Sequence, residues 1–485
     1  MTQRIARMTR RSFIASMAGA GLALSGCGSN ADEGDDSAGV SDAAQINAED
    51  AVEGLAGTCA IHVQGYDWGA GVDKVTVTLE SPIDAIAARD LTVTEVKQDT
   101  DWTAADTPVI QAAYEREVVA AYLVDDQGRK TSRPSDTFVM ELTCSPTEGS
   151  PILYAGTSRR NLWSNPYQLL ISLAEDVILT SKGEDVEALA IDPEPTERTT
   201  SADAWSIDSH TTSDGTVYPY AAYDPPRECG TLVVWLHASA EGRAGGSNAQ
   251  IPILASKVVA LSEDEFQDTV GGAHILVPQC PTMWMDVYGD YTYIKASNSD
   301  YVNSFYTSSL EEFIDYRAEI VGANKVVLVG ASNGGFMVMN LAINRPQRYA
   351  GIVPICEAVP SVLITDAQIE SLRDLPMYFV WSEDDTVVEP QACELPTIER
   401  LRAAGKTDET LHYSTTDHVI DTSGEYFDDE GNPYQYKGHW SWIYFHNNEC
   451  SCNEDGLKAF DFIAQCVRPP EPVEDETQAE RDASL

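Results

Sequence analysis

The chain has 485 residues, 43% of them hydrophobic and 22% charged, which is ample for a large core and for two or three domains. Its formal net charge of −46 at pH 7 argues against nucleic acid and anionic lipid headgroups as partners, because both would be repelled.

The first 26 residues read as a targeting segment. Arg10-Arg11-Ser12-Phe13-Ile14 is a twin-arginine pattern, and the apolar stretch Ile14–Leu24 that follows is too short to stay as a spanning helix. Leu24-Ser25-Gly26-Cys27 resembles a lipoprotein signal-peptidase box, with Cys27 as the lipidated first residue of the exported protein. The segment carries Arg4, Arg7, Arg10 and Arg11 and no acid, so its removal leaves the remainder more acidic still. The expectation is an extracytoplasmic protein held at the membrane only by its lipid; the twin-arginine signal is an address, not an anchor. Residues 27–57 are small, acidic and poor in aromatics, as a flexible stalk would be.

From 58 to about 150 the pattern changes to short β runs at Ala60–Gln64, Lys74–Leu79, Leu91–Val96, Val118–Val124 and Thr137–Leu142, with turn residues between them. This predicts an immunoglobulin-like β-sandwich module. Nothing in it reads as catalytic, and His62 and Trp68 are expected to pack. Cys59 and Cys144 bracket the module and are the expected disulfide pair in an oxidising compartment.

The catalytic domain is expected over 151–468. Tyr167–Leu173 and Val186–Ile191 read as strands leading into it, although Pro193, Pro195 and the Ser/Thr/Asp run at 199–203 read as loop. From Tyr218 onward strands and helices alternate, as a mostly parallel α/β sheet flanked by helices requires. Strands are expected at Thr231–His237, Ala273–Pro278, Val326–Val329, Tyr349–Ile355, Pro376–Trp381 and Thr410–Ser414. Helices are expected at Ser308–Ile320, Glu394–Ala404 and Gly456–Val467, the last with Leu457, Phe460 and Ile463 on one face. The proline-rich acidic tail 469–485 reads as disordered.

Lys325–Ile343 organises this domain. An apolar β-branched run leads into Gly330-Ala331-Ser332-Asn333-Gly334-Gly335 and then into helix-spaced Phe336, Met337, Met339 and Leu341. Strand, Gly-x-Ser-x-Gly, helix resembles the nucleophile elbow of the α/β-hydrolases. Glycines are required because side chains beside so sharp a turn would strike backbone, and the helix start favours developing negative charge at Ser332.

A serine hydroxyl needs a base, and the base needs an acid that fixes its tautomer; in this fold they follow in the order Ser, acid, His. Asp385 is the preferred acid, in the turn Ser382-Glu383-Asp384-Asp385-Thr386-Val387-Val388, with Asp384 and Glu383 as competitors. Of the histidines that follow, His412 lies within an expected strand and His418 at its end. His439 follows the Gly-, Asp- and Tyr-rich segment Asp421–Lys437; His439 is preferred as the base and His418 stays open. The two oxyanion donors are expected to be the N–H groups of Asn333 and Ser239, while His237 reads as structural. Acidic Asp421–Glu430 does not match a calcium loop, and Cys450-Ser451-Cys452 lacks the second Cys/His pair of a zinc site. No metal and no cofactor is therefore expected.

Together these residues resemble a family of secreted esterases, also classed as predicted peptidases, that carry an immunoglobulin-like module before an α/β-hydrolase domain. The matching pieces are Gly65-Tyr66-Asp67-Trp68-Gly69, Val234-Trp235-Leu236-His237, Val277-Pro278-Gln279-Cys280-Pro281 with Trp284, Gly330–Gly335, Asp385 before Val387-Val388, and Gly438-His439-Trp440-Ser441-Trp442. The resemblance implies a serine hydrolase acting on a small-molecule ester or peptide, lifts His439 over His418, and places Trp284 beside the substrate; the alternative for Trp284 is a core position. The chain departs from that pattern in three places. Ala238 stands where the family has glycine, Trp381-Ser382 where it has His-Gly, and the segment 419–437 is long. A serine peptidase of the same fold and a non-catalytic surface binding protein are the other readings.

Overall fold

The computed structural model describes residues 53–243, 246–291 and 302–468. The twin-arginine segment, Cys27, nearly all of the stalk and the acidic tail lie outside the described residues. No described helix is long and apolar enough to cross a membrane.

The first module is all β. Its first strands are β1 (Leu55–Tyr66), β2 (Gly69–Ile83), β3 (Leu91–Thr100), β4 (Val109–Arg116), β5 (Val118–Leu123) and β6 (Ser135–Leu142); β1 and β6 alternate buried and half-exposed residues, as one-sided sheets do. Seven short strands follow: β7 (Ile152–Ala155), β8 (Arg160–Trp163), β9 (Tyr167–Leu173), β10 (Leu179–Ser181), β11 (Glu184–Val186), β12 (Leu189–Ile191) and β13 (Glu197–Thr200). One sheet runs β12-β1-β2-β6-β5, with β13 also on β1, and a second runs β4-β3-β9. The runs Tyr167–Leu173 and Val186–Ile191, expected from sequence to lead into the second domain, serve the module's sheets instead, β9 lying antiparallel on β3 and β12 parallel on β1; β13, where loop was expected, also lies parallel on β1. Their edge pairing is long-range, and no local pattern announces it.

The expected Cys59–Cys144 disulfide is not formed; both thiols are free. Cys59 faces Val77 across the β1–β2 pair, whereas the Cys144 thiol donates to the carbonyl of Val72. That is five residues farther along β2, roughly 16 Å at strand rise, beyond the reach of a disulfide.

The second domain is built on one eight-stranded sheet. It comprises β14 (Ser206–Thr211), β15 (Val217–Tyr223), β16 (Thr231–Leu236), β17 (His274–Pro278), β18 (Lys325–Ala331), β19 (Gly351–Ile355), β20 (Met377–Ser382) and β21 (Leu411–Thr416), in the order β14-β15-β17-β16-β18-β19-β20-β21. From β17 to β21 the strands are parallel, and β14 and β15 add an antiparallel edge. β16, β19 and β20 are buried at every residue because helices or the first module cover both faces, hence their unbroken apolar runs. The helix Asn333–Asn344 lies against the central strands and is itself buried along nearly its whole length.

Apolar packing joins the two parts. The module's core residues Val63 and Val72 belong to one cluster with Trp235 and Val329 from one face of the large sheet and with Phe460 of the helix Ala459–Val467. Residues of the other face, among them Val234, Leu328 and Phe379, form a second cluster.

Candidate active site

Ser332 sits between β18 and the helix Asn333–Asn344 with φ 57° and ψ −115°, a backbone conformation that L-residues rarely adopt. Neighbouring glycines make the turn possible. A Cβ at Gly330 would stand 2.8 Å from the carbonyls of Gly334 and Leu236, and one at Gly334 would overlap the Leu236 carbonyl outright. The Ser332 N–H donates to Ile355 O at 2.9 Å, tying the turn to β19. Such strain costs about 1–3 kcal/mol and persists because the surrounding backbone leaves no alternative.

Three segments far apart in sequence converge on this serine. His439 lies in a short helical turn, Gly438–Trp440, with its Nε2 2.9 Å from Ser332 Oγ and its Nδ1 2.7 Å from Asp385 Oδ2. Its ring stands perpendicular to that of Trp442, with centroids 5.8 Å apart. Asp385 follows β20, is buried, and accepts the N–H groups of Val387 and Val388 on Oδ1 at 2.8 and 3.0 Å. One carboxylate oxygen is thus held by backbone and the other is turned toward imidazole.

The two neighbouring acids have separate partners. Glu383 accepts from the Trp381 indole and the Thr415 hydroxyl, and Asp384 accepts from the Ser382 hydroxyl and pairs with His418 at 2.8 Å. His418 is thereby committed to Asp384, on an exposed face. His412 is buried against Tyr378 and Phe462. His446 is buried beside Trp235 and Phe445, where burial lowers its pKa to about 3.

The loop expected to supply the Ser239 donor follows β16. Ser239 opens a 3₁₀ turn whose preceding residue, Ala238, has φ −69° and ψ 169°. These are ordinary extended angles, so alanine in place of glycine imposes no restriction there. The Ala238 N–H donates to the Glu241 carboxylate at 3.0 Å, and the Ser256 hydroxyl donates to the same group at 2.6 Å. Burial pushes the Glu241 carboxyl up to about 7. His237 is fully buried; its Nδ1 bonds the Ala238 carbonyl at 2.7 Å and its Nε2 accepts from the Cys280 N–H at 2.9 Å. Nδ1 therefore carries the proton, the ring is neutral, and burial lowers its pKa to about 4. Asn333 begins its helix, so its N–H has no carbonyl one turn back within the helix.

Trp284 is not a lining residue. It is wholly buried against Tyr218, His237 and Tyr306, so its ring has no face for a substrate. Its backbone N–H instead donates to Asn333 Oδ1 at 2.8 Å, holding the residue after the serine.

Several supporting residues leave no signal in the sequence. Glu241 is one. Cys356 is another, following β19 with φ 37° and its thiol within 4.8 Å of both the Asp385 carboxylate and the His439 ring. Glu357 and Glu394 are fully buried, and burial pushes both carboxyls up. From the module, Arg160 donates to the Thr282 carbonyl at 2.7 Å and Trp163 Nε1 to Asn248 at 3.1 Å, buttressing the loops beyond Ser239.

The chain matches two family models: the esterase Ig-like N-terminal domain over residues 59–187, and phospholipase/carboxylesterase over residues 247–424. No curated protein matches. Among solved structures, a thermostable esterase is similar with TM-score 0.61 at 18% identity, covering 82% of this chain and 97% of its own; at that identity the likeness speaks to the fold. A ferulic acid esterase (12% identity, 54% of this chain and 98% of its own) has a TM-score of 0.37. A carboxyl esterase from Bacillus coagulans (9% identity, 44% of this chain and 90% of its own) has a TM-score of 0.31; both scores are too low to bear on the architecture. An esterase Ig-like domain stands ahead of a phospholipase/carboxylesterase domain of α/β-hydrolase fold, and the chain is accordingly a serine hydrolase of carboxylesterase type.

Proposed function

We propose that the protein is an extracytoplasmic, lipid-anchored enzyme that hydrolyses carboxylic esters, with Ser332 as nucleophile, His439 as general base and Asp385 as the orienting acid. The observation that carries this reading is the unbroken hydrogen-bonded path from Ser332 Oγ through the His439 ring to Asp385, at 2.9 and 2.7 Å.

Ser332 Oγ attacks the ester carbonyl carbon as its proton passes to His439 Nε2. The imidazolium is stabilised by Asp385, which the Val387 and Val388 N–H groups keep in place. The carbonyl oxygen takes the negative charge and is met by the N–H groups of Asn333 and Ser239. The bond to the alcohol oxygen breaks, the alcohol leaves with the proton from Nε2, and an acyl-serine remains. Water then attacks the acyl carbon, giving its proton to the same nitrogen; the carboxylic acid departs and the serine regains its hydrogen. A small-molecule ester is the substrate class, no cofactor enters the cycle, and the acidic surface disfavours nucleic acid.

The export and anchoring part rests on Arg10-Arg11 and Leu24-Ser25-Gly26-Cys27. Wild-type protein should partition into detergent after expression in a host with the lipoprotein pathway, and Cys27→Ser should stay in the aqueous phase. Labelling by a fluorophosphonate tests the chemistry: wild type should react and Ser332→Ala should not. A wild type that fails to label would make the protein a surface binder with this fold. Ser332-dependent cleavage of a matched amide at a rate comparable with that of an alkyl ester would make it a peptidase.

A further inference from the structure

We propose that His412, Cys452 and Asp455 form a binding site for a zinc-type divalent cation, remote from Ser332 in the sheet order, that fastens the turn before the C-terminal helix to the edge strand of the large sheet. In sequence, Cys450-Ser451-Cys452 has no partner pair nearby. Folding supplies the missing nitrogen ligand: β21 carries His412 to the turn 452–457, and the three potential ligand atoms all lie within 4.8 Å of one another. His412 and Cys452 are buried, while Asp455 is at the surface.

The separations suit a single ion. Donors sharing a tetrahedral zinc stand roughly 3.3–3.6 Å apart, given bonds of about 2.0–2.3 Å. His412 Nδ1 and Asp455 Oδ2 are already 3.5 Å apart, and with all three ligand atoms within 4.8 Å of one another the thiol needs to close by no more than about 1 Å. Imidazole, thiolate and carboxylate together form a borderline-soft set that selects zinc over magnesium or calcium. A fourth position is left for water at the surface beside Asp455.

The turn is also framed as a ligand-bearing loop would be. The Cys452 N–H donates to Leu457 O at 2.8 Å, and Gly456 N–H to Cys452 O at 2.9 Å. The Leu457 N–H occupies Asp455 Oδ1 at 2.9 Å, leaving Oδ2 for His412 and the ion, the usual division between outer and inner contacts of a ligating carboxylate. Asn453 joins the turn to β21 by accepting from the Thr415 N–H and donating to Tyr413 O, both at 3.0 Å. Metal uptake releases the Cys452 proton to solvent, and no redox change is involved.

Cobalt(II) is the probe. Titrated into reduced full-length protein, it should give a thiolate-to-cobalt charge-transfer band saturating at one equivalent, and zinc should displace it. Cys452→Ser should abolish the band, Cys450→Ser should keep it, and His412→Gln should weaken binding about tenfold or more. Variants at the two buried positions can lose their fold, so surface Asp455→Asn provides an independent arm. It should weaken cobalt about tenfold while the metal-free melting temperature stays at the wild-type value. No band in wild type, a band that survives Cys452→Ser, or unchanged affinity in Asp455→Asn would overturn the proposal. Fluorophosphonate labelling at Ser332 is indifferent to all of these outcomes.

Discussion

Asp67 and Asn447 are 380 residues apart in the chain and 2.8 Å apart in the fold. Asp67 lies in the turn between the first two strands of the module, and Asn447 ends the short helix Trp442–His446 that follows His439. Lys257 bridges both, at 2.7 Å to each, and the stacked pair Tyr66–Trp68 brackets the contact. The module is therefore bonded to the segment that presents His439. Asp67→Ala leaves the Lys257 ammonium and the Asn447 amide without this partner. It should lower stability by about 2 kcal/mol, the scale of a lost charge-assisted hydrogen bond, read as a reduced urea midpoint at unchanged slope.

The elbow should show opposed effects on rate and stability. Ser332→Gly removes the hydroxyl and also the side chain that makes a positive φ costly. Aryl-ester turnover should vanish while stability rises by about 1 kcal/mol in calorimetry. A less stable glycine variant would mean that the turn is not strained at this residue.

Gly334→Ala should do the reverse of a stabilising glycine replacement. Its Cβ would meet the Leu236 carbonyl, which β16 cannot move without breaking its pairing with β18. A loss of about 3 kcal/mol or more, or failure to accumulate as soluble protein, is expected.

The adjacent carboxylates should separate cleanly in kinetics. Asp385→Asn should cut kcat by roughly 10³–10⁴-fold, because an amide cannot hold the imidazole in the tautomer that accepts from serine. Asp384→Asn and His418→Ala should each cost less than about tenfold, since that pair contacts neither Ser332 nor His439 directly. Loss of activity in His418→Ala with retention in His439→Ala would reverse the assignment.

Glu241 should give stability a pH dependence. Its carboxyl titrates at about 7 when folded, against an ordinary 4.5. Between those values the folded state holds a proton that the unfolded chain has released, so stability falls as pH rises through this window. Glu241→Gln lacks that loss. Its stability relative to wild type should grow by roughly 1–3 kcal/mol between about pH 4.5 and 7.5 in urea titrations.

The legible parts of this protein are those in which neighbours in sequence are neighbours in space. The strand Lys325–Ala331 and its helix are apolar because both are enclosed, and the glycines beside Ser332 are there because the backbone passes within contact distance of Leu236 and Ile355. Both facts are written locally. That an acid stands in the turn after β20 is legible for the same reason: the turn closes on itself through the Val387 and Val388 N–H groups. Where partners lie far apart, several expectations fail. Cys59 and Cys144 bracket the module but meet β2 five residues apart, and the runs 167–173 and 186–191 join the first module's sheets instead of leading out of it. Trp284, expected beside the substrate with a core position as the alternative, turns inward because Tyr218 and Tyr306 form the box it fills.

By itself, the sequence determined an enclosed parallel sheet, a glycine-framed serine and an acid two strands on, since each is specified by periodicity or by contacts within a few residues. Tertiary structure alone decided which histidine meets that serine, which of three acids meets that histidine, and that the module's first turn is bonded behind them. The reason is geometric: imidazole reach is a few ångströms, and only the stacking order of β16 through β21 brings side chains about a hundred residues apart within it.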